Sequence, residues 1–143
     1  VESTEASIEA RETELAADHE PTPILRAIRF VSRKSTGEVR VQVSRDRFEK
    51  DPMNTALALF EEYGMTRTND RNAILVYLNR ATRKFAILGD EGFHRAVGQK
   101  YFDQLAFNFT EDLQSTHFEN AIALLIFSCG TTLAKKFPRE SLR

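Results

Sequence analysis

The stretch Asp70-Arg71-Asn72-Ala73-Ile74-Leu75-Val76-Tyr77-Leu78, continued after residues 79–83 by Lys84-Phe85-Ala86-Ile87-Leu88-Gly89-Asp90-Glu91-Gly92, decides the fold. Its first half is a continuous apolar run with turn chemistry before it. Its second half alternates around Phe85, Ile87 and Leu88, and the five residues 79–83 join the two as a strand hairpin. A hairpin returns the chain to the edge it left. Asp70 enters the first strand and Asp90 leaves the second, so antiparallel pairing puts both carboxylates on one rim of the sheet, with strands about 5 Å apart. That rim is a candidate cation site.

Working outward toward the N-terminus, Asp51-Pro52 supplies an N-cap and a first-turn proline, and Met53, Ala56, Leu57 and Phe60 form an apolar stripe that Gly64 stops. Before it, Glu38 opens a strand in which Val39, Val41 and Val43 alternate with Arg40, Gln42 and Ser44, predicting one buried face and one partly polar face. Strand, helix and strand in that order favour a parallel pair with a right-handed crossover. The same topology brings Glu38 to the rim of Asp70 and Asp90. Ile24, Ala27, Ile28 and Val31 recur at helical spacing after Pro21 and Pro23, and Ser35-Thr36-Gly37 ends that helix. Beyond the hairpin, Tyr101, Phe102, Leu105 and Phe109 mark a further helix. A Thr116-to-Glu119 capping box predicts the start of the last one, which ends before Pro138.

At 143 residues the chain is most simply one folded domain over residues 21–143, preceded by an acidic helix or tail over residues 1–20. That leading segment holds seven acids against Arg11 alone, a net charge of −6 inside a total of −1. The positive charges elsewhere are spread along the sequence, not gathered into the stripe of a nucleic-acid binder, so no nucleic-acid partner is expected. Cys129 is the only cysteine, which excludes an intrachain disulfide and a thiolate-rich zinc site. It lies in the nine-residue apolar run Ala121 to Cys129, too short for a membrane span of about 20 residues, and reads as a small buried hydrophobe. The sequence opens on Val1, so a removed signal or anchor stays open and no compartment is assigned.

Carboxylates on one rim, joined by carbonyls of glycine-bearing loops, are what a hard cation requires: calcium takes six to eight oxygens at about 2.3–2.6 Å. The plainer reading is solvated turn acids, with Asp90 capping a helix that begins near Gly92. His19, His94 and His117 are too dispersed for a zinc set, although His94 follows Asp90 by four residues and could serve the rim as an acid or base. Gly89-Asp90-Glu91-Gly92 has neither dinucleotide nor Walker spacing, and no serine elbow is present.

These residues resemble the TPM-domain family of thylakoid-lumen, photosystem-repair and related membrane-associated proteins. The resemblance runs over about residues 24–138, through Ile24, Ala27-Ile28, Thr36-Gly37-Glu38-Val39-Arg40-Val41, Gly64-Met65, Arg71-Asn72, Tyr77, Lys84-Phe85-Ala86-Ile87, Gly89-Asp90-Glu91-Gly92, Phe118 and Leu133 to Phe137-Pro138. It implies a three-layer α/β/α sandwich: a short mixed sheet, made of a parallel pair plus an antiparallel hairpin, with helices on both faces. It also implies a divalent cation, calcium first and magnesium second, held by strand-end loops at Glu38, Asp70, Asn72, Gly89, Asp90 and Gly92. A weak acid phosphatase activity ascribed to a thylakoid-lumen member gives the alternative function, a metal-assisted phosphomonoesterase, but no catalytic set carries over.

The chain departs from the family pattern most in its last helix, where a usually polar face has become Ala121-Ile122-Ala123-Leu124-Leu125-Ile126-Phe127. Leu124, Ser128, Thr131 and Lys135 recur at 0, 4, 7 and 11, placing Leu124 on an otherwise polar stripe. Phe30 and Phe107 likewise fall where outer helix faces are expected. The three predict a contact for a protein partner or a second copy of the chain. The expected function is thus a non-catalytic module that binds a divalent cation and a protein partner in a membrane-associated assembly.

Overall fold

The apolar run becomes the middle strand of a three-stranded sheet. The computed structural model describes residues 22–140, so the helix or tail expected over residues 1–20 lies outside the described residues. In chain order the elements are α1 (Pro23–Lys34), β1 (Val39–Ser44), α2 (Pro52–Glu62), a 3-10 turn (Met65–Arg67), β2 (Ile74–Asn79), β3 (Lys84–Gly89), α3 (Glu91–Val97), α4 (Gln99–Ser115) and α5 (Phe118–Lys136). The sheet order is β1-β2-β3. β1 runs parallel to β2 with Val39 opposite Ile74, and β3 runs antiparallel to β2 with Gly89 opposite Ile74 and Lys84 opposite Asn79.

The two-residue period of β2 splits the core in two. Ile74, Val76 and Leu78, with Val39, Val41 and Val43, pack against α1, α4 and α5. Leu75 and Tyr77, with Ala86, pack against Ala56 and Phe60 of α2 on the other face. Helices therefore cover both faces of the mixed sheet, as the hairpin and the crossover together require.

Local chemistry sets the element ends. Thr22 caps α1 by accepting from the Leu25 N–H at 3.1 Å, and Asp51 caps α2 by accepting from the Met53 N–H at 3.0 Å. The hairpin loop is residues 80–83, one shorter than the connection the sequence predicts. Asn79 joins the strand and its Oδ1 accepts from the N–H groups of Ala81 and Thr82 at 2.9 and 3.2 Å. That local turn competes with a longer loop.

Three expectations change. The second face of β1 is buried too, because Tyr63 after α2 donates its hydroxyl to Gln42 Oε1 at 2.7 Å and closes over the strand. The α2 stripe is narrower than its spacing: Ala56 and Phe60 are buried, whereas Met53 and Leu57 are exposed. A three-stranded sheet offers too little surface to cover a wide stripe, and Leu59 and Tyr63 take the flank. Thr116 does not start the last helix. It closes α4, with its N–H on the Asp112 carbonyl, and His117 caps α5 through Nδ1, which accepts from the Glu119 N–H at 3.4 Å.

α5 runs parallel to α1. Phe30 meets Phe127 with ring centroids 5.3 Å apart, and Ser35 bridges to Pro138 where both helices end. A Cβ on Gly130 would lie 2.6 Å from Val31 Cγ2, so the glycine permits the close approach. Cys129 is fully buried in this helix, as its apolar setting predicts, and burial pushes its thiol up to about 12. Among the described residues no helix is long and apolar enough to cross a membrane.

Candidate functional site

The rim at the N-terminal ends of β1 and β2 assembles by backbone bonds before any side chain acts. The Ile74 N–H donates to the Glu38 carbonyl at 2.8 Å, the Asp90 N–H to the Ala73 carbonyl at 2.8 Å, and the Phe93 N–H to the Arg71 carbonyl at 3.1 Å. These bonds pull the start of α3 across the turn that feeds β2. Gly92 is the residue that lets it come so near: a Cβ there would lie 2.0 Å from the Asp70 carbonyl oxygen and 2.7 Å from that of Arg71. Arg71 itself adopts a left-handed backbone, with φ 51°.

A chain of hydrogen bonds links three side chains on this rim. Asn72 Nδ2 donates to Thr36 Oγ1 at 3.1 Å, and the Thr36 hydroxyl donates to Asp70 Oδ2 at 3.2 Å. This orientation of the amide serves both partners: turned over, Asn72 would take the threonine proton and leave Asp70 without it. Asn72 is 1% exposed, and its Oδ1 is buried with no hydrogen-bond partner among the described residues. A buried oxygen in that state costs roughly 1–3 kcal/mol unless something else satisfies it.

The other rim residues are committed elsewhere. Asp90, 6% exposed, is gripped by the Arg71 fork, Nε to Oδ2 at 2.6 Å and Nη2 to Oδ1 at 2.9 Å. Its Oδ1 also accepts from the Glu91 N–H at 2.9 Å and so caps α3. The hydrogen bond to Asp90 raises the Arg71 pKa above its ordinary value, so the guanidinium stays charged. Glu38 reaches the rim through its backbone, but its carboxylate turns to Arg40 at 3.6 Å. Gly89 ends β3 and makes room for the Phe102 ring, since a Cβ there would lie 2.6 Å from Cζ. His94 stacks on Phe102 with ring centroids 5.2 Å apart and pairs with Gln99 Oε1 at 3.0 Å.

Among the described residues no three His, Cys, Asp or Glu side chains converge on one point. A cation here would therefore rest on mixed oxygens: the Asp70 carboxylate, Asn72 Oδ1 and loop carbonyls, a donor set suited to a hard ion. The orphaned amide oxygen fits that role; Asp90 fits it only if Arg71 lets go.

The family model of the TPM domain matches residues 5–129. The chain belongs to the TPM-domain family. A solved TPM-like neighbour is the NMR structure of BA42 protein from the psychrophilic bacterium Bizionia argentinensis sp. nov., 28% identical, covering 80% of this chain and 79% of that one with a TM-score of 0.74. No curated protein matches. The α/β sandwich of this TPM domain is thus the family's fold.

Two residues that order the TPM rim escape a reading based on acids. Thr36 relays between Asn72 and Asp70, and Arg71 neutralises Asp90. The signal for the second was present: a basic residue directly between Asp70 and Asn72. The outer apolar residues divide. Phe107 and Leu124, 60% and 51% exposed, line one groove between α4 and α5, whereas Phe30 is half-buried against Phe127.

Proposed function

We propose that this TPM domain is a non-catalytic module that binds a divalent cation, calcium before magnesium, at the rim of Asp70 and Asn72. The observation that carries the reading is the buried, unsatisfied Asn72 Oδ1 on the same hydrogen-bond chain as the Asp70 carboxylate. A hard cation would satisfy the amide oxygen and one carboxylate together, with loop carbonyls and water completing its shell. The Arg71 pair holds α3 and Asp90 as a wall behind it and lowers the negative charge, which favours weak binding over a tight cage.

The same module presents an apolar outer ridge to a protein partner in a membrane-associated assembly. Phe30 touches Phe127, Leu124 lies one turn before Phe127 on α5, and Leu124 faces Phe107 across the groove, so four side chains join across three helices. The rival, a metal-assisted phosphomonoesterase with His94 as proton donor, gains no support from the ring's position on Gln99 and Phe102.

Titration calorimetry with calcium and magnesium tests the cation. Heat is expected from the parent and none from Asp70→Asn, while Asn72→Leu, which removes the orphaned oxygen, keeps the fold and weakens binding. Absence of heat in the parent at concentrations well above micromolar overturns the site. Light scattering of Phe107→Glu with Leu124→Glu separates a second copy from a foreign partner: a parent that is monomeric at every concentration leaves only the foreign partner.

A further inference from the structure

The far end of the sheet carries an open cleft of about 840 Å3, between the β2–β3 hairpin and the junction of α4 with α5. Its walls are apolar, with Phe85 from β3, Leu113 from α4 and Phe118 from α5. Its mouth is cationic: Arg80, Arg83 and Lys84 line it, and among the described residues no carboxylate pairs with any of them or lines the cleft. The volume falls in the range of small-molecule sites, which are apolar pockets with a few convergent polar groups.

Arg80 is held in place and not merely nearby. The Arg80 guanidinium lies 4.0 Å above the Phe118 ring, and the hairpin beneath it is pinned by Asn79, whose Nδ2 donates to the Asp46 carbonyl at 2.8 Å and to Glu49 Oε1 at 2.9 Å. Arg83 sits in the left-handed region at φ 61°, where glycine or asparagine is at home. The first turn of α5, with its His117 cap, adds a positive helix end. Glu119 stands against it, with a carboxylate oxygen 3.6 Å from His117 Nδ1, and partly offsets that positive end.

We propose that this cleft binds an organic oxyanion, a carboxylate or sulfonate on an apolar aryl or acyl body. The head lies between Arg80 and Arg83, which offer planar forks to two oxygens, and the body lies on Phe85, Leu113 and Phe118. Neither group takes part in the cation rim, so the proposal stands apart from the function argued above.

Amide chemical shifts of the isotope-labelled protein, titrated with naphthalene-2-carboxylate, dodecanoate and the neutral naphthalene-2-methanol, test it. One or both carboxylates are expected to move the amides of residues 80–85 and 113–118, and the tighter of the two identifies the body as aryl or acyl. Arg80→Gln with Arg83→Asn, both exposed positions, should weaken that binding about tenfold, whereas Arg80→Lys with Arg83→Lys keeps most of it. The proposal is overturned by a neutral alcohol that binds as tightly as the acid, by unchanged affinity in the Gln/Asn variant, or by no shifts at low millimolar ligand.

Discussion

Two arginines among the described residues sit in backbone that arginine dislikes, and their side chains have opposite fates. Arg71, at φ 51°, is rewarded by the bidentate pair with Asp90 and a further contact of 3.3 Å to Glu91. Arg83, at φ 61°, has no carboxylate partner among the described residues and closes the hairpin through its N–H to the Asn79 carbonyl at 2.9 Å. A left-handed backbone costs an ordinary L-residue about 1–2 kcal/mol, because its Cβ crowds the following carbonyl, and asparagine less. Arg83→Asn should therefore raise stability by about 0.5–1 kcal/mol, read as the urea midpoint. Arg71→Asn relaxes the same strain but strips a nearly buried carboxylate of its counter-charge, so its midpoint should fall. If both rise, backbone strain and not the ion pair governs the two sites.

The packing of α4 on α5 carries a pH signature of its own. Burial pushes Tyr101 up to about 12, and its hydroxyl meets Thr132 Oγ1 at 2.8 Å; burial does the same to the Cys129 thiol on the facing helix. The folded state thus keeps protons that the unfolded chain gives up from about pH 9 onward, near the ordinary thiol and phenol values. The stability these two groups contribute is complete below about pH 9 and is lost as pH rises through about 12. Urea midpoints should fall between about pH 8 and pH 11, and Cys129→Ala should flatten that slope while lowering the level. An equal slope in the variant would show that other groups govern the alkaline limb. The same helices show what was legible in sequence. Periodicity exposed β1, β3, α1, α2 and α4 because a half-buried element repeats its apolar residues at 2.0 or 3.6, while β2 and α5 showed as continuous apolar runs, α3 only through its cap, and the crossover placed Glu38 on the rim. It failed where a contact between elements decided the matter. Met53 and Leu57 keep the period of a buried stripe but lie exposed, since a three-stranded sheet is too narrow to cover them. Asp90 looked like a ligand by position, and only the folded turn shows that Arg71 holds it.

Across the whole molecule, the sheet separates the rim from the basic loop of the hairpin. Asp70 and Asn72 sit before β2, while Arg80, Arg83 and Lys84 sit beyond it, and six strand residues set them roughly 20 Å apart. That exceeds the Debye length of about 8 Å at physiological salt, and the span between them is packed apolar core, in which the ionisable group on β2 is Tyr77, whose pKa burial raises to about 12. The Tyr77 hydroxyl is engaged by Glu49 at 2.5 Å near the basic end and reaches no rim residue. Charge changes in the cleft should therefore not be felt at the rim proposed to hold a cation. The double variant Arg80→Gln with Arg83→Asn is expected to bind calcium within about twofold of the parent at physiological salt, a coupling below about 0.5 kcal/mol. Lowering the salt lengthens the range of the field, so the same comparison at about 0.01 M ionic strength should reveal tighter calcium binding in the variant that has lost two positive charges. A strong effect already present at physiological salt would mean that the two ends communicate through the packing of β2, because screened charges at that distance could not do it.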